Sequence, residues 1–336
     1  MKFFNRIILP VRQEAAVAQI VANIKAERRS RFRILACIDG TEEGFISVRK
    51  AARIGCTNEC DIIILYVRPI DQGLRSGGLQ VRLARQNMME AGFELPGVSY
   101  LRRALEILKS EGLDVSDWKK TVEHQDAFGD PAGDNKVEYL GPDGRSVVLK
   151  LKTAPDVAIG ILDQYELGPY NLIILGEPSR WRGEFMSFFD SGVVQSVVTI
   201  APCSVMVARK LNERMGFLIV TDGTFRSMQA VRRAGVQAHV MGRDIAVLSV
   251  AKKAEGVEAA QEAVTNAKAL LRAMGITVTH TQVEVGDPAQ RIVEVGNAYG
   301  TIVVTDEKRT HLQRVFKGSI ATTVVQTAET TVLDVR

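Results

Sequence analysis

Apolar residues in this chain gather into runs too short for helices, and these alternate with longer stretches of helical period. The run Ile34-Leu35-Ala36-Cys37-Ile38 ends in Asp39-Gly40-Thr41, and Leu218-Ile219-Val220-Thr221 ends in Asp222-Gly223-Thr224. A helical pattern follows each. Phe45, Val48, Ala52 and Ile54 share a face in the first, and Met228, Val231 and Ala234 do so in the second. Threonine suits the N-cap there, because its hydroxyl accepts from a free amide of the first turn.

The parallel runs on downstream, so the chain reads as an internal duplication. Second strands are expected at Ile62 to Val67 and at Ile245 to Val250. Long amphipathic helices then stop at Gly112 and Gly275, the residue type that best takes a left-handed C-cap. Gly286-Asp287-Pro288-Ala289 opens a third helix through Ala298, followed by a strand from Thr301 to Thr305. Ala154-Pro155-Asp156 opens its counterpart, to about Tyr165, ahead of a strand from Leu172 to Leu175. Last strands fall at Val205 to Ala208 and Val332 to Val335. Each unit is therefore βαβαβαβαβ, and near-continuous apolar strands between helices require a parallel sheet covered on both faces.

Length agrees: 336 residues accommodate two cores of about 150 residues each. The expected division is an N-terminal helical extension over 1–31, a first domain over 32–210 and a second over 214–336. An insertion at about 116–146 sits in the first. Within it, Gly141-Pro142-Asp143-Gly144 is a turn between two strand-like runs, and Asp126 to Asn135 reads as an exposed loop. Its role is read equally as a lid, a partner surface or an inert hairpin. In the extension, Ala15 to Ala26 reads as an amphipathic helix with Val17, Ile20, Val21 and Ile24 on one face. That helix is expected to pack on the first domain rather than to anchor at a membrane.

Composition removes several function classes. Hydrophobic residues make up 46% and charged residues 24%, the balance of a folded globular chain. A net charge of +4 is too small to require a nucleic-acid partner, and none is expected. No apolar run reaches the roughly 18 residues of a membrane span, and the N-terminus lacks the pattern of a signal peptide. Cysteines at 37, 56, 60 and 203 and histidines at 124, 239, 280 and 311 form no metal-ligand spacing. Thiols in a reducing cytoplasm are the expected context.

With both units aligned, the chain resembles the universal stress protein family. The likeness rests on the strand ending in Asp-Gly-Thr, Gly-Asp-Pro-Ala before the third helix, Ala201-Pro202-Cys203 before a final strand, and Gly318-Ser319 near the end. It implies α/β folds of the adenine nucleotide alpha hydrolase-like kind: doubly wound parallel five-stranded sheets in order 3-2-1-4-5. It also implies that the two halves pair through their last strands as an intramolecular pseudo-dimer. A homodimer of the whole chain is left open.

Ligands of such sheets bind where strand order reverses, at the carboxyl ends of the first and fourth strands. Asp39, Gly40, Thr41, Val67 and Gly176 mark that crevice in the first half, with Ser191 and Gly192 beyond it. Asp222, Gly223, Thr224, Val250 and Thr305 mark it in the second, with Lys308, Gly318, Ser319 and Ile320. The resemblance implies ATP, with Mg, or AMP: adenine near the first-strand Asp and phosphate cradled by a Gly-x-x-Gly turn and a later Gly-Ser or Gly-Thr. Both phosphate loops depart from that pattern. In the first, Glu177, Pro178 and Ser179 follow Gly176, and the later pair is reversed as Ser191-Gly192. In the second, Thr305 and Lys308 replace the glycines, although Gly318-Ser319 stands in place. Lys308, Arg309 and Arg314, or Arg180 and Arg182 in the first half, offer cations instead. The functions to weigh are a nucleotide-sensing stress regulator and a ligand-free dimeric scaffold. No catalytic residue set is evident, and an activity beyond a weak ATPase is not expected.

Overall fold

The computed structural model describes residues 31–57, 60–69, 96–127, 130–164, 169–177, 191–209, 216–305 and 319–336. The first half runs β1 (Phe32–Ile38), α1 (Glu42–Thr57), β2 (Cys60–Pro69), α2 (Pro96–Ser110), β3 (Lys119–Ala127), β4 (Asp130–Leu140), β5 (Ser146–Ala154), α3 (Val157–Leu162), β6 (Leu172–Gly176), α4 (Ser191–Ile200) and β7 (Ser204–Ala208). The second runs β8 (Phe217–Val220), α5 (Phe225–Val240), β9 (Ile245–Ala251), α6 (Val257–Ala273), β10 (His280–Val285), α7 (Pro288–Gly296), β11 (Thr301–Thr305), α8 (Ile320–Thr327) and β12 (Thr331–Val335). The N-terminal helix expected at Ala15 to Ala26 lies outside the described residues.

The twelve strands of the described residues join one sheet in the order β10-β9-β8-β11-β12-β7-β6-β1-β2-β5-β4-β3. Each half contributes five mutually parallel strands in the order 3-2-1-4-5. The two sets are not separate sheets, because β12 pairs antiparallel with β7 and removes both open edges at once. Alternate β1 residues face opposite cores. Ile34, Ala36 and Ile38 pack with α1 and α2, whereas Leu35 and Cys37 pack with α3 and α4.

One expectation is corrected. The stretch from Asp126 to Asn135 is not a loop: β3 runs to Ala127 and β4 starts at Asp130. β4 pairs antiparallel with β3 on one side and β5 on the other, so the insertion lengthens the sheet. Its polar sequence misled because these strands lie at the rim of the sheet, where residues 119–125 of β3 are all exposed and residues 134–139 of β4 are only half-buried. The turn at Gly141–Gly144 forms as the sequence indicated, with Gly144 at φ +79.

The junction between halves is held by two reciprocal arginines. Arg209 follows β7 and donates to the carbonyls of Val325 and Thr330, near the end of α8. Arg336 follows β12 and donates to those of Val198 and Ala201, at the end of α4. Their backbone amides donate to Thr331 Oγ1 (3.2 Å) and Ser204 Oγ (3.1 Å), at corresponding positions. A guanidinium fits a helix C-terminus because the last carbonyls lack partners and carry the negative end of the helix dipole. Glu177 pairs with Arg209 at 2.8 Å, and the buried Asp334 pairs with Arg336 at 3.1 Å.

Within the first half, Glu111 just past α2 receives Arg53 (2.8 Å) and Arg49 (3.2 Å) from α1. Burial alone would push the Glu111 carboxyl up. The two guanidinium groups outweigh it and hold the carboxyl below its ordinary value. Such a depressed group stabilises the fold above its unfolded pKa, and that contribution fades as pH falls through the folded value. Glu111→Gln is therefore expected to cost about 1 kcal/mol near neutral pH. In urea titrations the gap to wild type should shrink once pH drops below 4.5; a gap independent of pH would remove the ion pair from the account.

Candidate functional site

Both Asp-Gly-Thr turns form at the carboxyl ends of β1 and β8, and their local geometry is nearly the same. Asp39 Oδ1 accepts from the Thr41 amide (2.9 Å) and hydroxyl (2.7 Å), and Asp222 Oδ1 does the same with Thr224 (3.0 and 2.7 Å). Each threonine then caps its helix, Thr41 for Gly44 N (3.0 Å) and Thr224 for Ser227 N (3.3 Å). The glycines take left-handed φ, +89 at Gly40 and +78 at Gly223, which a side chain resists. Much of the motif is thus turn chemistry that holds regardless of any ligand.

The surroundings separate the two corners. In the first half Asp39 and Thr41 are buried, and the Tyr100 ring lies over Gly40, 2.4 Å from where a Cβ would stand. Tyr100 is itself braced edge-on by Tyr66, centroids 5.6 Å apart. The gap between β1 and β6 is filled by the first turn of α1. A Cβ on Gly44 would fall 2.1 Å from Asp39 Oδ1, and one on Gly176 would fall 2.5 Å from Glu43 O and 2.6 Å from Gly44 Cα. Asp39 and Gly176 do meet, then, but across Gly44 and not across an open crevice.

In the second half Asp222, Gly223 and Thr224 are all exposed. Among the described residues no aromatic ring covers Gly223; the nearest group to its absent Cβ is the methyl of Ala263, at 3.1 Å. Partial burial pushes the Asp222 carboxyl up, but the hydroxyls of Ser227 and Thr224 outweigh it and hold it below its ordinary value. An anionic carboxylate is therefore presented at this corner at neutral pH, beside the half-buried Val250 and Thr305. Phe225, at the start of α5, is 81% exposed.

The remaining candidates divide as follows. Val67 is buried in the core beneath α3 and does not face a crevice. Gly192 is exposed in the first turn of α4. Ser319 is buried and committed to capping α8, accepting from Thr322 N at 3.0 Å, with Ile320 exposed beside it. Lys308 and Gly318 lie outside the described residues, as do the Ser191 side chain and the arginines expected to compensate for lost glycines. Sequence reasoning missed Tyr100, which carried no signal, and the pair Gly44 and Ser227. That pair was visible: each stands the same distance beyond its Asp-Gly-Thr, glycine in the closed corner and serine in the open one.

Other chemistry is not supported among the described residues. All four cysteines are free, and no group of His, Cys, Asp and Glu is placed to hold a metal. Burial pushes the Cys60 thiol up to about 12 and that of Cys203 to about 11, so neither is a nucleophile near neutral pH. No helix among the described residues is long and apolar enough to cross a membrane.

A mostly parallel α/β sheet with a reversal of strand order in each half and paired last strands defines a doubly wound α/β fold. Residues 215–336 match the model of the universal stress protein family. A universal stress protein from Archaeoglobus fulgidus aligns with 90% of this chain and 98% of its own, at 15% identity and TM-score 0.58. A universal stress protein from Pseudomonas aeruginosa aligns with 92% and 94%, at 16% identity and TM-score 0.56. These likenesses extend over both halves, so the first half has the same fold. No curated protein matches the chain.

Proposed function

We propose that the chain is a universal-stress-type regulatory protein of two domains, over 32–210 and 214–336, that binds an adenine nucleotide in the crevice of the second. The observation that carries this is the difference between corners: Asp222-Gly223-Thr224 is open, whereas Asp39-Gly40-Thr41 is roofed by Tyr100 and plugged by α1. The ligand class comes from the family resemblance, and the crevice lies where doubly wound sheets take ligands. Asp222 would accept from the base or sugar. The first domain serves as the rigid half against which the second is held.

The test is mass spectrometry of the denatured protein for retained nucleotide, with thermal shifts in ATP and magnesium or AMP. Ligand at one hundred times its dissociation constant adds about 2.7 kcal/mol. Asp222→Ala is expected to weaken binding at least tenfold, and Asp39→Ala to leave it unchanged. Equal losses in both variants would move the site or make it dual.

A second reading is a ligand-free scaffold. It draws on Ser319, whose hydroxyl is already occupied in capping α8. No retained nucleotide and no thermal shift would select it over the first.

A further inference from the structure

The outermost strands of the sheet are β3 and β10, and each is paired on one side only among the described residues. The β3 edge is blunted. It opens with Lys119 and Lys120, residues 119–125 are exposed, and its register with β4 breaks between Gln125 and Ala127. Lysines and a bulge are devices that keep an edge from pairing with another chain. The β10 edge has neither. His280-Thr281-Gln282-Val283-Glu284-Val285 contains no lysine, arginine or proline, and it keeps an unbroken register with β9 over all 6 residues.

The direction of its free backbone groups follows from that pairing. The Thr279 amide donates to the Ile245 carbonyl, at the start of β9, at 2.8 Å. In a parallel pair every second residue turns its amide and carbonyl toward the neighbour, so Thr281 and Val283 also face β9. The amides and carbonyls of His280, Gln282 and Glu284 therefore point outward from the edge. The side chains of these three share one face of the sheet. On that face Gln282 Nε2 donates to Glu284 Oε1 at 2.7 Å. The row reads imidazole, amide, carboxylate, with a donor at one end, an acceptor at the other and a group that is both in the middle.

We infer that β10 is the surface through which two copies of this chain associate, antiparallel, with the twofold axis at Gln282. In that register His280 stands opposite Glu284 of the partner subunit at both ends of the row, and Gln282 stands opposite Gln282 of the partner subunit. Each such pair exchanges two main-chain hydrogen bonds. The end pairs set a donor, or a cation, against a carboxylate, and two amides bond to each other across the axis. This complementarity favours a second copy over a foreign strand, because the row is its own complement once the chain direction is reversed. The contact is isologous, so it closes at two copies on this edge. Neither crevice takes part, and the inference stands without nucleotide binding.

A single short strand makes a small interface of modest affinity, so light scattering should follow the mass up to about 1 mM chain. The mass is expected to rise from one chain toward two. Over the same range, hydrogen exchange should slow at the amides of His280, Gln282 and Glu284, while Thr281 and Val283, already bonded to β9, keep their rates. Gln282→Lys sets lysine against lysine on the axis and is expected to weaken association at least about tenfold. Glu284→Lys should do the same, and it decides the matter if Gln282→Lys fails to fold. Adding His280→Glu to Glu284→Lys rebuilds an opposite-charge pair and should restore the dimer. A one-chain mass throughout, a dimer indifferent to both lysine variants, or a double exchange that restores nothing overturns the assignment. So does slowing confined to the amides of β3, which gives the contact to the other edge.

Discussion

Arg336→Ala is expected to destabilise the folded chain by about 3–5 kcal/mol, the cost of removing one partner from a buried ion pair. The Asp334 side chain is 1% exposed and pairs with this guanidinium, so its charge would stay buried without that cation. The carbonyls of Val198 and Ala201 would lose their donor in the same step. Urea denaturation reads the effect as a lower midpoint. Adding Asp334→Asn removes the stranded charge and should restore part of the loss. Arg209→Ala should cost less, because its partner Glu177 is a quarter exposed and can be rehydrated. A loss under about 1 kcal/mol for Arg336→Ala, the size of a surface pair, would show that the junction is held by apolar pairing of β7 and β12 alone.

Gly176→Thr is the second large effect, about 3 kcal/mol or more. Threonine is the residue the second half carries at the matching place, Thr305, yet the first half has no room for it. A side chain on Gly176 must displace the backbone of Glu43 and Gly44, not a flexible side-chain tip. Overpacking of that kind commonly costs 1–3 kcal/mol, and more when backbone must shift. The reverse exchange, Thr305→Gly, removes only a half-exposed side chain and is expected to stay within about 1 kcal/mol. Comparable losses for the two exchanges would mean that the corners are equally closed, and would take away the basis for assigning ligand to the second.

How far the sequence carried the reading follows from where its information is local. Strand and helix positions were legible because burial on both faces imposes continuous apolar runs, and the helices read after Asp156 and Asp287 form there, each aspartate accepting from the first turn as a cap the sequence reading had not named. The Asp-Gly-Thr turns were legible for the same reason, since every bond they make spans only a few residues. The hairpin β3–β4 was half legible: its turn has a local signature, but its rim strands carry no apolar face to betray them. The state of each corner was not legible. Tyr100 reaches Gly40 from a different helix, and nothing in the spacing of Tyr100 points at a glycine sixty residues earlier. Whether Gly176 meant an open phosphate turn or a close backbone contact depended on Gly44, which only the packed sheet brings to it.

The antiparallel join of β7 to β12 has a consequence for how such a protein can change. Two identical chains paired through that strand would carry every substitution twice, so a mutation that fills one crevice fills the other. Fusing the copies breaks this bond. One corner is free to collect a tyrosine over its turn, while its sister keeps an exposed Asp-Gly-Thr. The seam also survives dilution, since its partner is always at hand. A single polypeptide can thus carry two unlike corners on one duplicated architecture, with the pseudo-twofold axis kept in the backbone and abandoned in the side chains.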